Sequence, residues 1–318
     1  MSIATAITNL QGKIANAYTA IQEKGGTLPQ VQNAANLSAT IADIPLGGGG
    51  PDYGTGGLSN IFYTPNGDGE NMNWFGNVSS ITFTGIKSIA DMRYAFYTNN
   101  KYNLKSVSFP DLEVLSGDSS WSNSFCFNAG LSSITFPKVS AIVNANNLFA
   151  NAFENCFALS SLSFPEVKYI IGGNTSYQLD GIFGTRKNNG DIKEVSFPKL
   201  EYVDKASPLR IDSLTSITQL TLPELTAVYC SVSSMSNYAG FYHNSKITAL
   251  YLPKLSVMSK SVPGTENPPN DLSAIFNGCT NLTEIHFSAE NQSIIEGSSG
   301  YATKWAAPNA NCQVYFDL

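Results

Sequence analysis

The chain is 318 residues long, enough for one extended repeat array or for two or three ordinary domains, and in either arrangement it can bury a sizeable core. Charged residues make up only 13%, about half the ~25% usual in soluble domains, so the surface must be polar but largely uncharged. With 18 Lys and Arg against 24 Asp and Glu the net charge is −6, which argues against the basic footprint of a nucleic-acid or anionic-membrane binder.

At the N-terminus Ile3, Ile7, Leu10, Ile14, Ala17 and Ile21 fall on one narrow helical stripe, which Gly25-Gly26 ends. A second helical pattern runs from Thr27, as N-cap, through Leu37 and Ile41 to Ile44-Pro45. Residues 1–46 therefore read either as a helical hairpin or as a coiled-coil segment with Ile7, Ile14 and Ile21 at the a positions. The second reading makes the segment a docking or homo-oligomerisation module. No basic start precedes an apolar core here, since the first Lys is Lys13 and Thr5, Thr8 and Asn9 interrupt the apolar residues. No apolar run reaches the ~18 residues of a membrane span, so membrane insertion is not expected.

Ala20 to Pro29, Asn33 to Leu37 and Ile41 to Pro45 together resemble the short N-terminal module of tail and other structural proteins of bacteriophages and prophages. That resemblance implies docking onto tail or other virion proteins through residues 1–46.

Residues 47–57, with Gly47 to Gly50, Gly54, Gly56 and Gly57, read as a glycine-rich linker. A phosphate-cradling loop would need a preceding strand, a following helix and Lys-Ser or Lys-Thr, and none is present. Residues 58–77 are expected to cap an exposed array end.

From residue 78 to 318 one frame recurs, beginning at Val78, Leu104, Leu131, Leu159, Ile192, Ile217, Ile247 and Leu282, at steps of 25 to 35 residues. Apolar residues lie at relative positions 0, 3 and 5, as in Ile217, Leu220 and Leu222, the last two alternating like an inward-facing strand. Proline follows in Pro110, Pro137, Pro165, Pro198, Pro223 and Pro253; lacking an N–H, it ends the strand and turns the chain. Apolar residues return at positions 8 and 11, as in Leu200 and Val203, predicting a second wall. In the last unit Ser288 replaces the proline, and Gln313 to Phe316 is predicted as a closing strand.

Upstream of the strand recur Phe153-x-x-Cys156-x-x-Leu159 and Phe276-x-x-Cys279-x-x-Leu282, with Asn at the middle position in Phe125 to Leu131 and Phe241 to Ile247. This frame resembles the BspA-like leucine-rich repeats, although the unit from Phe183 to Ile192 departs from it through an insertion. The resemblance implies a mainly β leucine-rich-repeat solenoid of about eight repeats behind a short α-helical N-terminal module. The five cysteines are scattered, with no Cys-x-x-Cys pair, and read as buried thiols rather than zinc ligands or disulfides.

The residue after each proline alternates in charge: Asp111, Lys138, Glu166, Lys199, Glu224 and Lys254. Stacked neighbours ~4.8 Å apart then predict a structural charge ladder along one edge. Outward positions 2 and 4 carry mostly Ser and Thr early in the array, then Glu194, Gln219, Tyr251, Glu284 and His286. That face is a candidate recognition surface for a host-surface glycan or protein, with Trp121 and Tyr177 added from inserted loops. The plainer reading is a set of small polar residues that keeps an exposed sheet soluble. Glu284 and His286 share a face, but the sequence places no nucleophile or second carboxylate beside them.

The residues together read as a non-catalytic recognition or structural protein without catalytic, metal or cofactor sites. The resemblances point to a phage or prophage virion. The alternatives are a BspA-like adhesin of the bacterial cell surface, secreted without a standard signal peptide, and a polysaccharide-active enzyme. The enzyme has little to work with in three Arg and two His.

Overall fold

The computed structural model describes residues 79–97, 104–117, 119–143, 147–172, 182–183, 192–204, 209–211, 214, 216–230, 240–259 and 274–318. The expected N-terminal module (1–46), linker (47–57) and cap (58–77) lie outside them, as does Tyr177.

The strands in chain order are β1 (Ser80–Thr82), β2 (Ser106–Ser108), β3 (Val114–Ser116), β4 (Ser133–Thr135), β5 (Ala141–Val143), β6 (Ser161–Ser163), β7 (Tyr169–Ile171), β8 (Glu194–Ser196), β9 (Tyr202–Asp204), β10 (Gln219–Thr221), β11 (Ala227–Tyr229), β12 (Ala249–Leu252), β13 (Val257–Ser259), β14 (Glu284–Phe287) and β15 (Gln313–Phe316). They pair in parallel and form a mainly β solenoid of about six turns. The second wall is one continuous sheet, β3-β5-β7-β9-β11-β13. The first wall falls into three hydrogen-bonded sections, β1-β2-β4, β6-β8 and β10-β12-β14-β15. Among the described residues no helix is long and apolar enough to cross a membrane.

Strand length follows from the proline. Six first-wall strands, β2, β4, β6, β8, β10 and β12, run into a turn in which the residue after the proline pair closes back on the residue before it: Leu112 N–H reaches Phe109 O, Val167 reaches Phe164 and Leu255 reaches Leu252 at 3.3–3.4 Å. Proline fixes the first central position of such a turn and needs no ladder partner there. The chain then enters the second wall, and the apolar positions of both walls meet in one core: Leu104, Val107, Phe109, Leu112 and Leu115 are all fully buried.

The charged residue beside the proline sits at the corner. Lys138 Nζ meets Asp111 at 2.7 Å, Lys199 meets Glu166 at 2.7 Å and Lys254 meets Glu224 at 2.6 Å. The series thus takes the form of discrete neighbouring pairs. A second corner row carries Lys87–Glu113 at 3.0 Å and Lys168–Glu201 at 2.9 Å. This row sits three residues past each proline position, just before the second wall.

A third side closes the cross-section, built of stacked turns rather than strands. Left-handed residues recur every fourth position, at Ser119, Asn123 and Phe127 and again at Asn147, Asn151 and Asn155. Between them alternate amides bond to the next turn: Trp121, Asn123, Phe125 and Phe127 donate to Leu148, Ala150, Ala152 and Glu154 at 2.8–3.0 Å. Asparagine suits this side because it tolerates the left-handed region better than other side chains. At the end of this side Asn128 Nδ2 donates to Phe96 O at 2.7 Å, and Cys156 Sγ to Phe125 O at 3.1 Å.

Inside, phenylalanines stack along the axis. Phe83, Phe109, Phe136, Phe164 and Phe197 lie 4.9–5.6 Å apart with planes within 8°. Phe96, Phe125 and Phe153 form a second stack. Each buried ring contributes about 1.5–3 kcal/mol of transfer free energy.

Trp121 corrects the sequence reading. It is fully buried, edge-on to Phe109, Phe136 and Phe149 at 5.2–5.8 Å, so it is a core residue and not part of a recognition loop. The segment expected to be an inserted loop is the third side, and its inward positions feed the core.

After β14, Ser288 replaces proline and its Oγ accepts from Glu290 N–H, capping a 3-10 turn at Ala289–Asn291. This leads into the short helix α1 (Gln292–Glu296) and a second 3-10 segment, Tyr301–Ala306. Trp305 is buried there against Phe276 and Phe287. The chain then returns to the first wall as β15.

Candidate recognition face

In-register parallel pairing arranges the outward residues of the first wall in rows. In the N-terminal section these are hydroxyls that satisfy each other: Ser106 Oγ donates to Ser80 Oγ at 2.8 Å and Thr135 Oγ1 to Ser108 Oγ at 2.7 Å. A hydroxyl already paired with its neighbour offers a ligand less than a free one.

The C-terminal section differs. One row runs Thr221, Tyr251, His286, Tyr315, and the row beside it Gln219, Ala249, Glu284, Gln313. His286 lies between two rings, 4.6 Å from Tyr251 at 14° and 4.8 Å from Tyr315 at 16°. Its Nδ1 faces both oxygens of Asp317 at 2.9 and 3.1 Å, and its Nε2 lies 3.5 Å from Glu284 Oε2. A carboxylate only accepts, so Nδ1 carries a proton. The ring is largely covered, with its side chain 13% exposed.

The ring spacing matches the strand spacing of ~4.8 Å, so stacking covers both faces of His286 and the inward-facing sides of its two neighbours. Tyr315, 39% exposed, has no further ring stacked on it among the described residues. What the section offers outward is a band of ring edges, amides and carboxylates: Gln219, Glu284, Gln313 and Asp317, with the edges of Tyr251, His286 and Tyr315. This is hydrogen-bonding chemistry suited to a polar ligand.

Among the described residues no group of three His, Cys, Asp or Glu side chains converges as a metal site would. The five cysteines are buried and form no disulfide. Burial pushes the Cys156 thiol up to about 12 and raises Cys126 further, with the Glu154 carboxylate adding to the rise. Neither has the lowered pKa of a nucleophile.

Of the residues expected from sequence, Gln219, Tyr251, Glu284 and His286 come together in one sheet section. Glu194 is exposed but belongs to the separate β6-β8 section. Trp121 is core, and Tyr177 lies outside the described residues. Sequence reasoning missed Gln313, Tyr315 and Asp317. Their signal was present in the closing strand: setting Tyr315 beside His286 brings Asp317 next to the imidazole. No protein-family model matches the chain, and no curated protein matches it.

Proposed function

We propose that this chain is a non-catalytic recognition protein whose solenoid binds a host-surface glycan or protein through the C-terminal section of the first wall. One observation carries the reading: the outer face passes from self-paired hydroxyls around β1, β2 and β4 to carboxylates, amides and ring edges from β10 to β15. Such a gradient concentrates ligand-facing hydrogen-bonding capacity at one end of a rigid scaffold. The arrangement of His286 supports the non-catalytic part, because each imidazole nitrogen faces a carboxylate rather than a hydroxyl or thiol.

In this reading the solenoid is a leucine-rich-repeat array of the BspA-like kind with eight units. Residues 1–46 attach it to tail or other virion proteins, in keeping with their resemblance to phage and prophage modules. The test is binding of the full chain to intact candidate host cells and to a glycan array. Glu284→Gln together with Tyr251→Ala is expected to reduce binding at least tenfold, while Ser106→Ala with Ser133→Ala leaves it unchanged. Equal binding by both double variants, or no binding by the parent chain, overturns the reading.

A further inference from the structure

We infer that β15 is a homodimerisation edge, on which a second copy of this chain pairs antiparallel about Tyr315. Among the described residues β15 is the last strand of the first wall, and its far side has no ladder partner. Gln313 N–H donates to Thr283 O at 2.7 Å, so by the alternation of a parallel ladder Gln313 and Tyr315 turn their backbone groups toward β14. Val314 and Phe316 consequently present theirs to the open side. The strand is short but lacks the side-chain safeguards of an exposed edge: Gln313, Val314, Tyr315 and Phe316 include no charged residue and no Pro. At the neighbouring corner the crossing segment is tied down, with Asn291 Nδ2 reaching the carbonyls of Pro253 and Leu255 at 3.5 and 3.4 Å.

The second copy is the fitting occupant because the strand is complementary to itself about Tyr315. With Tyr315 opposite Tyr315 of the second copy, Val314 lies opposite Phe316, and these are the residues whose backbone groups are free to exchange hydrogen bonds. Both are half-buried and inward-facing, so the core row continues across the junction. Outside, Gln313 falls opposite Asp317, an amide donor against a carboxylate, and no charge meets a like charge. The ring row Tyr251–His286–Tyr315 continues into its own image at the same spacing. A register shifted by one residue would set inward Val314 against outward Tyr315, which an antiparallel pair does not allow. This inference does not depend on the recognition reading, although Gln313, Tyr315 and Asp317 figure in both: the dimer uses the edge of the section and the ligand its outer face.

The experiment measures the mass of the full chain across a dilution series by sedimentation velocity. The parent mass is expected to fall twofold on dilution. Val314→Pro, which removes an outward N–H, and Tyr315→Lys, which sets like charges opposite each other, are expected to hold the lower mass at all concentrations with an unchanged circular dichroism spectrum. Oxidised Tyr315→Cys is expected to give a covalent dimer, and Thr221→Cys on the same face is not. Should Val314→Pro lose the fold, Tyr315→Lys and the cross-link decide. A mass unaffected by Tyr315→Lys, or a Tyr315→Cys cross-link no stronger than that of Thr221→Cys, overturns the inference; any oligomer formed through residues 1–46 would behave in that way.

Discussion

Asparagine and cysteine exchange at the third position after the turn phenylalanine because both donate to a carbonyl of the preceding turn. Asn128 and Asn244 give Nδ2–H to Phe96 O and Leu209 O, while Cys156 and Cys279 give S–H to Phe125 O and Phe241 O. Asn244 also accepts from Ile211 N–H, whereas Asn128 Oδ1 is buried without a partner. Asn128→Cys is therefore expected to be close to neutral, because it keeps the donor and removes the orphaned acceptor. Asn128→Ala removes the buried Nδ2 bonds to Phe96 O and Phe125 O and is expected to cost about 1–3 kcal/mol by urea denaturation. The same burial makes the thiols alkaline sensors of folding. An unfolded thiol ionises near its ordinary ~8.5, while folded Cys156 holds its proton to about 12. Its contribution is thus complete below pH ~8.5 and declines above it, by at most about 1.4 kcal/mol per pH unit for each such thiol. Cys156→Ser keeps a donor for Phe125 O, and its stability is expected to fall less steeply between pH 8.5 and 10 than that of the parent. Parallel slopes in the two proteins would contradict this.

Within each turn of the solenoid the proline fixes both the end of a strand and the place of the next charge, which is why corner and charge row were legible in the sequence. Glu166 and Lys199 meet at 2.7 Å with about half of each side chain exposed, so the pair is worth ~0.2–1 kcal/mol. In a double-mutant cycle Lys199→Glu is expected to destabilise, and adding Glu166→Lys to restore most of the loss. Asp111 does more than its ion pair: one oxygen accepts from Gly85 N–H at 2.8 Å and the other from Lys138 at 2.7 Å. The Gly85 amide first, then Lys138, holds its carboxyl below the usual range. That stabilisation is present above the ordinary carboxylate pKa of ~3.9 and lost as pH falls through the depressed value. Asp111→Ala is accordingly expected to lower the urea midpoint more than Lys138→Ala, which leaves the Gly85 bond in place. The third side was not legible. Its residues 119–127 and 147–155 have the Asn- and Ser-rich composition of a loop, and only the interval of four between left-handed residues distinguishes a stacked turn. For that reason Trp121 read as exposed.

At the scale of the whole molecule the two walls differ in continuity, and a solenoid responds to the weakest junction between neighbouring turns. The sequence period revealed the rows of the candidate face, since every outward position keeps its distance from the proline. Asp317 escaped because the closing strand follows a crossing without one, so its register against β14 had no marker. The positions of the breaks in the first wall escaped too, as all units share one apolar pattern. At the first break, between β4 and β6, Phe136 and Phe164 remain stacked at 5.6 Å, so side chains bridge what the backbone leaves unpaired. At the second, between β8 and β10, the stack ends: Phe197 closes it, and Leu222 takes the equivalent position in the next unit. The second wall runs unbroken past both breaks, with Ala141 in register with Tyr169 beside the first and Tyr202 with Ala227 beside the second. Native-state hydrogen exchange is therefore expected to show the strongest protection in β7 and β9, and earlier exchange in β8 and β10 than in β2 or β12. Phe136→Ala, which removes a buried ring at a cost of about 3–5 kcal/mol, is expected to make the β4–β6 junction exchange as readily as the β8–β10 junction. Uniform protection along the first wall in the parent chain would show instead that core packing alone sets cooperativity, and that the breaks in the ladder carry no energetic weight.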